Sequence, residues 1–202
     1  MVTFTPATGH TGAAGFTYAI SDGRGGTASA NVALNVTQPT QSLFAANATP
    51  AILSDPEAKS VELGMKFTSS VAGSVVGVRF YKGLQDTGTH TGSLWTSTGT
   101  LLATVTFTNE TASGWQAANF SSPVQISADT TYVVSYHSNG HYAANNNYFT
   151  EPVTNGPLTA PSSASSGGNG VYAYGSSSLF PTNSYNASNY WVDVLFTAQL
   201  AA

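Results

Sequence analysis

Cysteine is absent from this sequence, and with it go disulfides, thiolate zinc sites and cysteine nucleophiles. Charge is nearly as scarce. Only 7% of the 202 residues are Asp, Glu, Lys or Arg, against about 25% in an ordinary globular chain. The nine acids and five bases stand singly. Nucleic-acid binding needs clustered Lys and Arg to neutralise phosphates, so that partner is excluded. Attraction to an anionic membrane surface falls on the same ground. No run of about 18 apolar residues occurs, so no segment reads as a membrane-spanning helix and membrane insertion is not expected. A persuasive helical period is missing as well.

What fills the space is hydroxyl and amide. Ser, Thr and Asn supply 25, 27 and 14 residues, beside 20 Gly. With 41% hydrophobic residues the chain can bury a core of one large or two modest domains. This polar, uncharged surface suits a long extracellular β protein. Met1-Val2-Thr3-Phe4 lacks a basic segment followed by an apolar one, so it does not read as a signal peptide. Its abrupt start suggests a piece of something longer.

Strand patterns and turn chemistry alternate throughout. Residues 2 to 36 predict three strands: Val2 to Thr5, then Phe16, Tyr18 and Ile20 alternating, then Val32, Leu34 and Val36, with Asp22-Gly23-Arg24-Gly25-Gly26 as a tight connection. Three strands without a covering layer make a poor core, so residues 1–38 read as the end of a domain. Residues 39–42 form a short polar linker. Residues 43–198 form a complete module, with 199–202 as a tail. Its predicted strands are Val61 to Phe67, Val75 to Lys82, Ser93 to Thr96, Thr100 to Thr108, Trp115 to Phe120, Val124 to Ile126, Thr131 to His137 and Tyr190 to Thr197. Thr154 to Gly170 reads as a long loop. The fold class expected is all-β, an antiparallel, jelly-roll-like β-sandwich preceded by a few strands from the end of an Ig/cadherin-like domain.

Two resemblances follow. Val2-Thr3-Phe4-Thr5-Pro6, Gly15-Phe16-Thr17-Tyr18, Ile20-Ser21-Asp22-Gly23 and Gly25-Gly26-Thr27-Ala28 resemble the last strands of a bacterial cadherin-like repeat. Such repeats form tandem arrays in large adhesins, often stiffened by calcium. Only the final third or so of one is present, so its calcium sites are not carried over. Calcium stays a candidate ligand through loop Asp and carbonyl oxygens. Residues 43–197 resemble a secreted bacterial family, domain of unknown function 4082. The carrying segments are Glu62-Leu63-Gly64-Met65-Lys66-Phe67, Gly77-Val78-Arg79-Phe80-Tyr81-Lys82-Gly83, Gly88-Thr89-His90-Thr91-Gly92-Ser93-Leu94-Trp95, Ala112-Ser113-Gly114-Trp115-Gln116, Thr131-Tyr132-Val133, Ser135-Tyr136-His137, Gly140-His141-Tyr142-Ala143 and Asn189-Tyr190-Trp191-Val192-Asp193-Val194. The resemblance implies a companion of tandem extracellular modules, at times of carbohydrate-active enzymes, with no established activity. It implies secretion or cell-surface display beside neighbouring modules of the same polypeptide.

Chemistry is thinly supplied. Glycoside hydrolysis wants two carboxylates facing one sugar, and the acids have simple structural readings: Asp129 caps a turn, Glu110 sits in a hairpin loop, Asp86 begins a Gly-containing turn. No Gly-x-Ser-x-Gly elbow is present. The expectation is that the chain is not an enzyme. His137 and His141 flank Ser138-Asn139-Gly140, which reads as a hairpin turn. A two-residue loop would point the imidazoles to opposite faces, and a three-residue loop would make them cross-strand partners with His90 as a third ligand. Arg79 lies between strand hydrophobics, as does Asp193. Because an unpaired buried ion is costly, the two are expected to form a structural ion pair, the alternative being that Arg79 lines a ligand groove.

Aromatic rings give the strongest functional signal. Exposed Trp and Tyr faces can stack on a pyranose while amides read its hydroxyls. Trp95, at a strand end beside a predicted loop, and Tyr142, Tyr148, Tyr172, Tyr174 and Tyr185, in predicted loops, accompany Asn139, Asn145, Asn146, Asn147 and His90. Trp115 reads as core and Trp191 as either. The expected ligand-binding rim is His90, Trp95, Asn139, His141 and Tyr142 at one end of the sandwich. The role expected is non-catalytic attachment to carbohydrate or extracellular matrix. The alternative is a purely structural spacer of a large adhesin.

Overall fold

Alternating apolar side chains make strands wherever one face of a pleated backbone finds cover. The computed structural model describes residues 3–7 and 10–199, divided into two units after Pro39. In the first, β1 (Gly12–Ser21) and β2 (Thr27–Val36) pair antiparallel from Gly12↔Val36 to Ser21↔Thr27. Asp22 closes the turn, its Oδ1 accepting from the backbone N–H of Arg24 at 2.7 Å and of Gly26 at 2.9 Å. Phe4 stacks on Phe16. The predicted first strand is not formed: Thr3–Thr5 have no strand pairing, and Val2 lies outside the described residues.

The second unit is an antiparallel sandwich. Its strands are β3 (Val61–Ser69), β4 (Gly73–Lys82), β5 (Thr91–Thr96), β6 (Leu101–Thr106), β7 (Gly114–Ile126), β8 (Tyr132–Ser138), β9 (Val153–Asn155), β10 (Leu158–Ala160), β11 (Val171–Tyr174), β12 (Asn183–Ser184) and β13 (Val192–Ala198), with a 3-10 turn at Tyr148–Thr150 and a short helix, α1 (Ser163–Ser166). One sheet runs β12-β11-β3-β8-β5-β6 and the other β13-β4-β7. Leu63, Met65, Phe67, Leu94, Val134 and Tyr136 from the large sheet share a buried cluster with Val75, Val78, Phe80, Val192, Val194 and Phe196 from the small one. The two predicted strands 115–120 and 124–126 are one strand, β7, whose register with β4 shifts between Val75 and Gly77. The predicted loop 154–170 carries most of a hairpin, β9–β10, and α1.

Burial on both faces of the large sheet is what the alternation does not announce. Every residue of β8 is buried. Behind it, Trp95, Val133 and Val171 form a second cluster covered by Phe180, from the segment linking β11 to β12. On the far side of the small sheet, Phe44, Tyr81, Trp115, Tyr148 and Trp191 meet ring to ring.

Two polar side chains fasten this architecture. Asp193 pairs directly with Arg79 across β13 and β4, with Oδ2 2.7 Å from Nη2. Its Oδ1 also accepts from Leu43 N–H and Val194 N–H, and its Oδ2 from Phe44 N–H. The guanidinium donates to the Phe44 carbonyl and lies over the Trp115 ring at 4.2 Å. Arg79 is therefore committed to the fold as an ion pair, and its remaining exposed edge also lines an open cleft with Gln41, Ser42, Phe44 and Asn155.

The second fastener is Asn169, which is fully buried. One edge of β3 pairs with β11 at Val61–Gly64 and with β10 at Thr68–Ser69, which leaves Lys66 between them without a strand partner on that side. The Asn169 amide fills the gap: Oδ1 accepts from Lys66 N–H at 2.9 Å and Nδ2 donates to Lys66 C=O at 3.1 Å. A side-chain amide here substitutes for a peptide of the ladder.

Asp193→Ala is expected to cost about 3–5 kcal/mol, because it leaves a guanidinium buried without its charge partner. A loss below about 1 kcal/mol in chemical denaturation would refute that. Asn169→Leu should cost at least about 2 kcal/mol, since two buried backbone groups lose their partners. Hydrogen exchange should show the Lys66 amide losing protection, and unchanged protection would contradict the bridging role.

Candidate functional site

The expected rim does not form. Trp95 is the clearest correction: it stands at the end of β5 opposite His90, pairs with Val133, is 7% exposed, and donates its indole N–H to Ser135 Oγ at 2.7 Å. A ring so covered by Phe180 offers no face for stacking. His90 is fully buried. Asn139 is exposed at the same end of the sheet, but its amide donates to the carbonyls of Thr87 and Thr89. It thus fastens the 87–89 loop.

The turn at 138–141 is no hairpin. Gly140 and His141 both adopt positive φ, 115° and 60°, and the chain leaves β8 to run against residues 52–58, with His141 N–H donating to the Glu57 carbonyl. A Cβ at Gly140 would lie 2.7 Å from the Ala58 carbonyl carbon, so the position needs glycine for space as well as for φ. The two imidazoles separate. His141 Nδ1 lies 3.1 Å from the Asp55 carbonyl oxygen. His137 lies on the outer face of β8 with Nδ1 3.4 Å from Glu62 Oε2, an approach that makes no hydrogen bond. Among the described residues, no three His, Asp or Glu side chains gather as a metal-holding group.

His90 belongs to a different arrangement. Its Nε2 is 2.8 Å from Asp86 Oδ1 and its Nδ1 is 2.9 Å from Glu110 Oε1. Ser138 Oγ donates to the same Asp86 oxygen, and Lys82 Nζ pairs with Glu110 at 2.7 Å. Burial would pull the imidazole pKa down, but hydrogen bonds and charge from Asp86, then Glu110, outweigh it and raise the value above 6.5. With a carboxylate at each nitrogen, the ring is held as an imidazolium. The group ties the 83–90 loop to the 107–113 loop beneath Phe80, whose ring centroid is 4.8 Å from that of His90.

Of the expected rim, Tyr142 opens onto a cleft. That cleft, of about 340 Å³, is lined by Asp55, Glu57, Val61, Tyr142, Tyr172, Tyr174, Tyr185 and Tyr190. Local structure explains the gathering. Tyr172 and Tyr174 lie two apart on β11, opposite Leu63 and Val61 of β3, so both project to one face at the end of the sheet. Tyr190 precedes β13 and is buried, whereas Tyr174 and Tyr185 are 49% and 58% exposed at the mouth. The rings meet edge to face: Tyr142 with Tyr190 at 5.7 Å, Tyr172 with Tyr190 at 6.4 Å, Tyr172 with Tyr174 at 5.6 Å. Edge contacts fix the orientations of these rings against one another.

The acids sit on one turn. Asp55 Oδ1 accepts from Glu57 N–H, Glu57 Oε1 from Lys59 N–H, and Glu57 Oε2 from the Tyr174 hydroxyl at 3.1 Å. The Lys59 N–H bond is the main cause holding the Glu57 carboxyl below its usual value. Burial first, and then the nearby Asp55 charge, push the Tyr142 phenol up. For Tyr174 burial is followed by the Glu57 hydrogen bond. These phenols therefore stay protonated as donors. Asp55, Glu57 and Tyr190 are absent from the sequence-based rim, and Tyr172 and Tyr174 were expected in a loop. Val171-Tyr172-Ala173-Tyr174 does carry a period-two signal that would have put both rings on one face.

The model of the family Domain of unknown function (DUF4082) matches residues 47–192. The chain belongs to that family. A Cadherin-like domain model matches residues 1–37, and no curated protein matches the chain. The DUF4082 span contains every residue of the tyrosine cleft and of the His90 group. Together the two families indicate an extracellular module. Among the described residues, no helix is long and apolar enough to cross a membrane.

Because the His90 pKa is raised on folding, the stability it confers is whole below about 6.5, the unfolded value, and fades as pH rises through the folded value above it. Melting temperature in wild type should accordingly fall over that upper range, and His90→Gln should flatten the slope. Parallel pH profiles of the two proteins would show that folding does not raise the His90 pKa.

Proposed function

We propose that the DUF4082 module is a non-catalytic carbohydrate-attachment unit of a secreted or surface-displayed protein, and that the tyrosine cleft is its binding site. The observation that supports this is the cleft's composition. Exposed rings of Tyr174 and Tyr185 stand at the mouth, with phenol donors and the Asp55 and Glu57 acceptors beside them. Apolar ring faces suit the C–H face of a pyranose, and convergent donors and acceptors suit its hydroxyls. Non-catalysis fits the placement of the acids. Both come from one turn and accept from its own backbone, whereas glycoside hydrolysis flanks the scissile bond with two carboxylates. Shape fits as well, because a shallow, pre-formed cleft on strand ends needs no ordering when ligand arrives.

A glycan array probed with the intact chain tests the reading, followed by titration of each hit. Tyr185→Ala should weaken affinity about ten-fold, near 1.4 kcal/mol, while stability stays within about 0.5 kcal/mol, as for most exposed substitutions. An empty array, or a hit indifferent to Tyr185→Ala, would count against the cleft and leave the module as a structural spacer of an adhesin.

A further inference from the structure

We infer that the sugar this cleft takes is cationic: an amino sugar with a free amine, whose ammonium sits among the tyrosine rings beside Asp55 and Glu57. The inference rests on the reading of the cleft as a glycan site and adds the chemical class of the glycan.

Every ionisable side chain lining the cleft is a carboxyl or a phenol; no Lys, Arg or His is among them. In a chain with nine acids spread over 202 residues, two of them two positions apart at the mouth of an aromatic cavity are a local concentration of negative charge. The Glu57 carboxyl is held below its usual value, chiefly by the Lys59 N–H, so it is charged at neutral pH. The Tyr142 and Tyr174 phenols are pushed up first by burial, and the neighbouring charges of Asp55 and Glu57 add to the rise. Tyrosine faces add to the negative charge, since the ring quadrupole presents negative charge to whatever lies over it.

A neutral sugar laid over these groups would give the two carboxylates hydroxyl donors but no opposite charge. An ammonium returns an opposite charge, N–H donors and the attraction of several ring faces. The protein already makes this contact once. Lys59 Nζ lies 5.6 Å from the centroid of the Tyr174 ring, so an ammonium of this chain already rests against one wall of the cleft. Bringing in a second cation from the ligand uses the same chemistry on the remaining rings.

The test holds the backbone of the ligand constant and changes only its charge. Glucosamine tetramer, its fully N-acetylated counterpart and cellotetraose share β-1,4 linkage and differ at C2. Isothermal titration of the intact chain should give at least ten-fold tighter binding to the glucosamine tetramer than to either neutral tetramer. Its affinity should fall with added salt, as exposed charge pairs are screened. The double substitution Asp55→Asn with Glu57→Gln keeps the local acceptors and should erase the preference, with melting curves confirming the fold. Lys59→Ala should tighten the cationic tetramer by removing the ammonium beside Tyr174 and Glu57, and leave binding of the neutral tetramers unchanged. Equal or better binding of the neutral tetramers overturns the charge inference and leaves the glycan reading intact. Failure of all three tetramers, with an empty array, overturns both.

Discussion

The carboxylate of Asp193 is the constraint around which the module is organised. It is completely buried, and a buried ion in a chain this poor in charge survives only if its lone pairs are fully used. Here they are. One oxygen holds Leu43 and Val194, and the other holds Phe44 and the Arg79 guanidinium. The segment at residues 43–44 cannot slide along β13 without exposing that charge to an apolar neighbourhood. Its placement brings Phe44 against Trp115 and Trp191, and so sets the layer of rings behind the small sheet.

The same economy recurs elsewhere. Where strands run out, single polar side chains take over: Asn169 for a missing stretch of ladder on β3, the Asp86–His90–Glu110 group for two loops that have no sheet pairing between them. Scarcity of charge is thus matched by concentration of its use. Arg79, Lys82 and Lys66 each find a partner inside the fold. Asp55 and Glu57 with their tyrosines stand apart, because they spend their hydrogen bonds on their own turn and present the remainder to an open cleft.

Much of the fold is legible in the sequence. Alternation over Val61 to Phe67, Val75 to Lys82 and Thr131 to His137 marks real strands, because each has one face in the core. The position of Arg79 between Val78 and Phe80 shows a charge that must be compensated, and the register of β4 on β13 sets Asp193 directly opposite. What escapes the sequence is cover supplied from far away. Trp95 sits at a strand end beside a turn and has the local look of an exposed ring. It is buried because Phe180, 85 residues later in the numbering, lies across it. Strands of three or four residues, β9 to β11, are lost among the Ser and Gly that flank them. The turn after β8 deceives for another reason: Asn139-Gly140 has hairpin chemistry, but a second positive φ at His141 sends the backbone toward residues 52–58.

The pairing of Gln41 with Phe196 has a mechanical meaning. The two exchange both backbone hydrogen bonds, at 2.7 and 2.8 Å, in antiparallel register. The chain therefore comes into the module and goes out of it at one corner, like a loop of cord tied at its neck. Tension applied at residues 40 and 199 falls on that knot and, just behind it, on the Asp193 clamp.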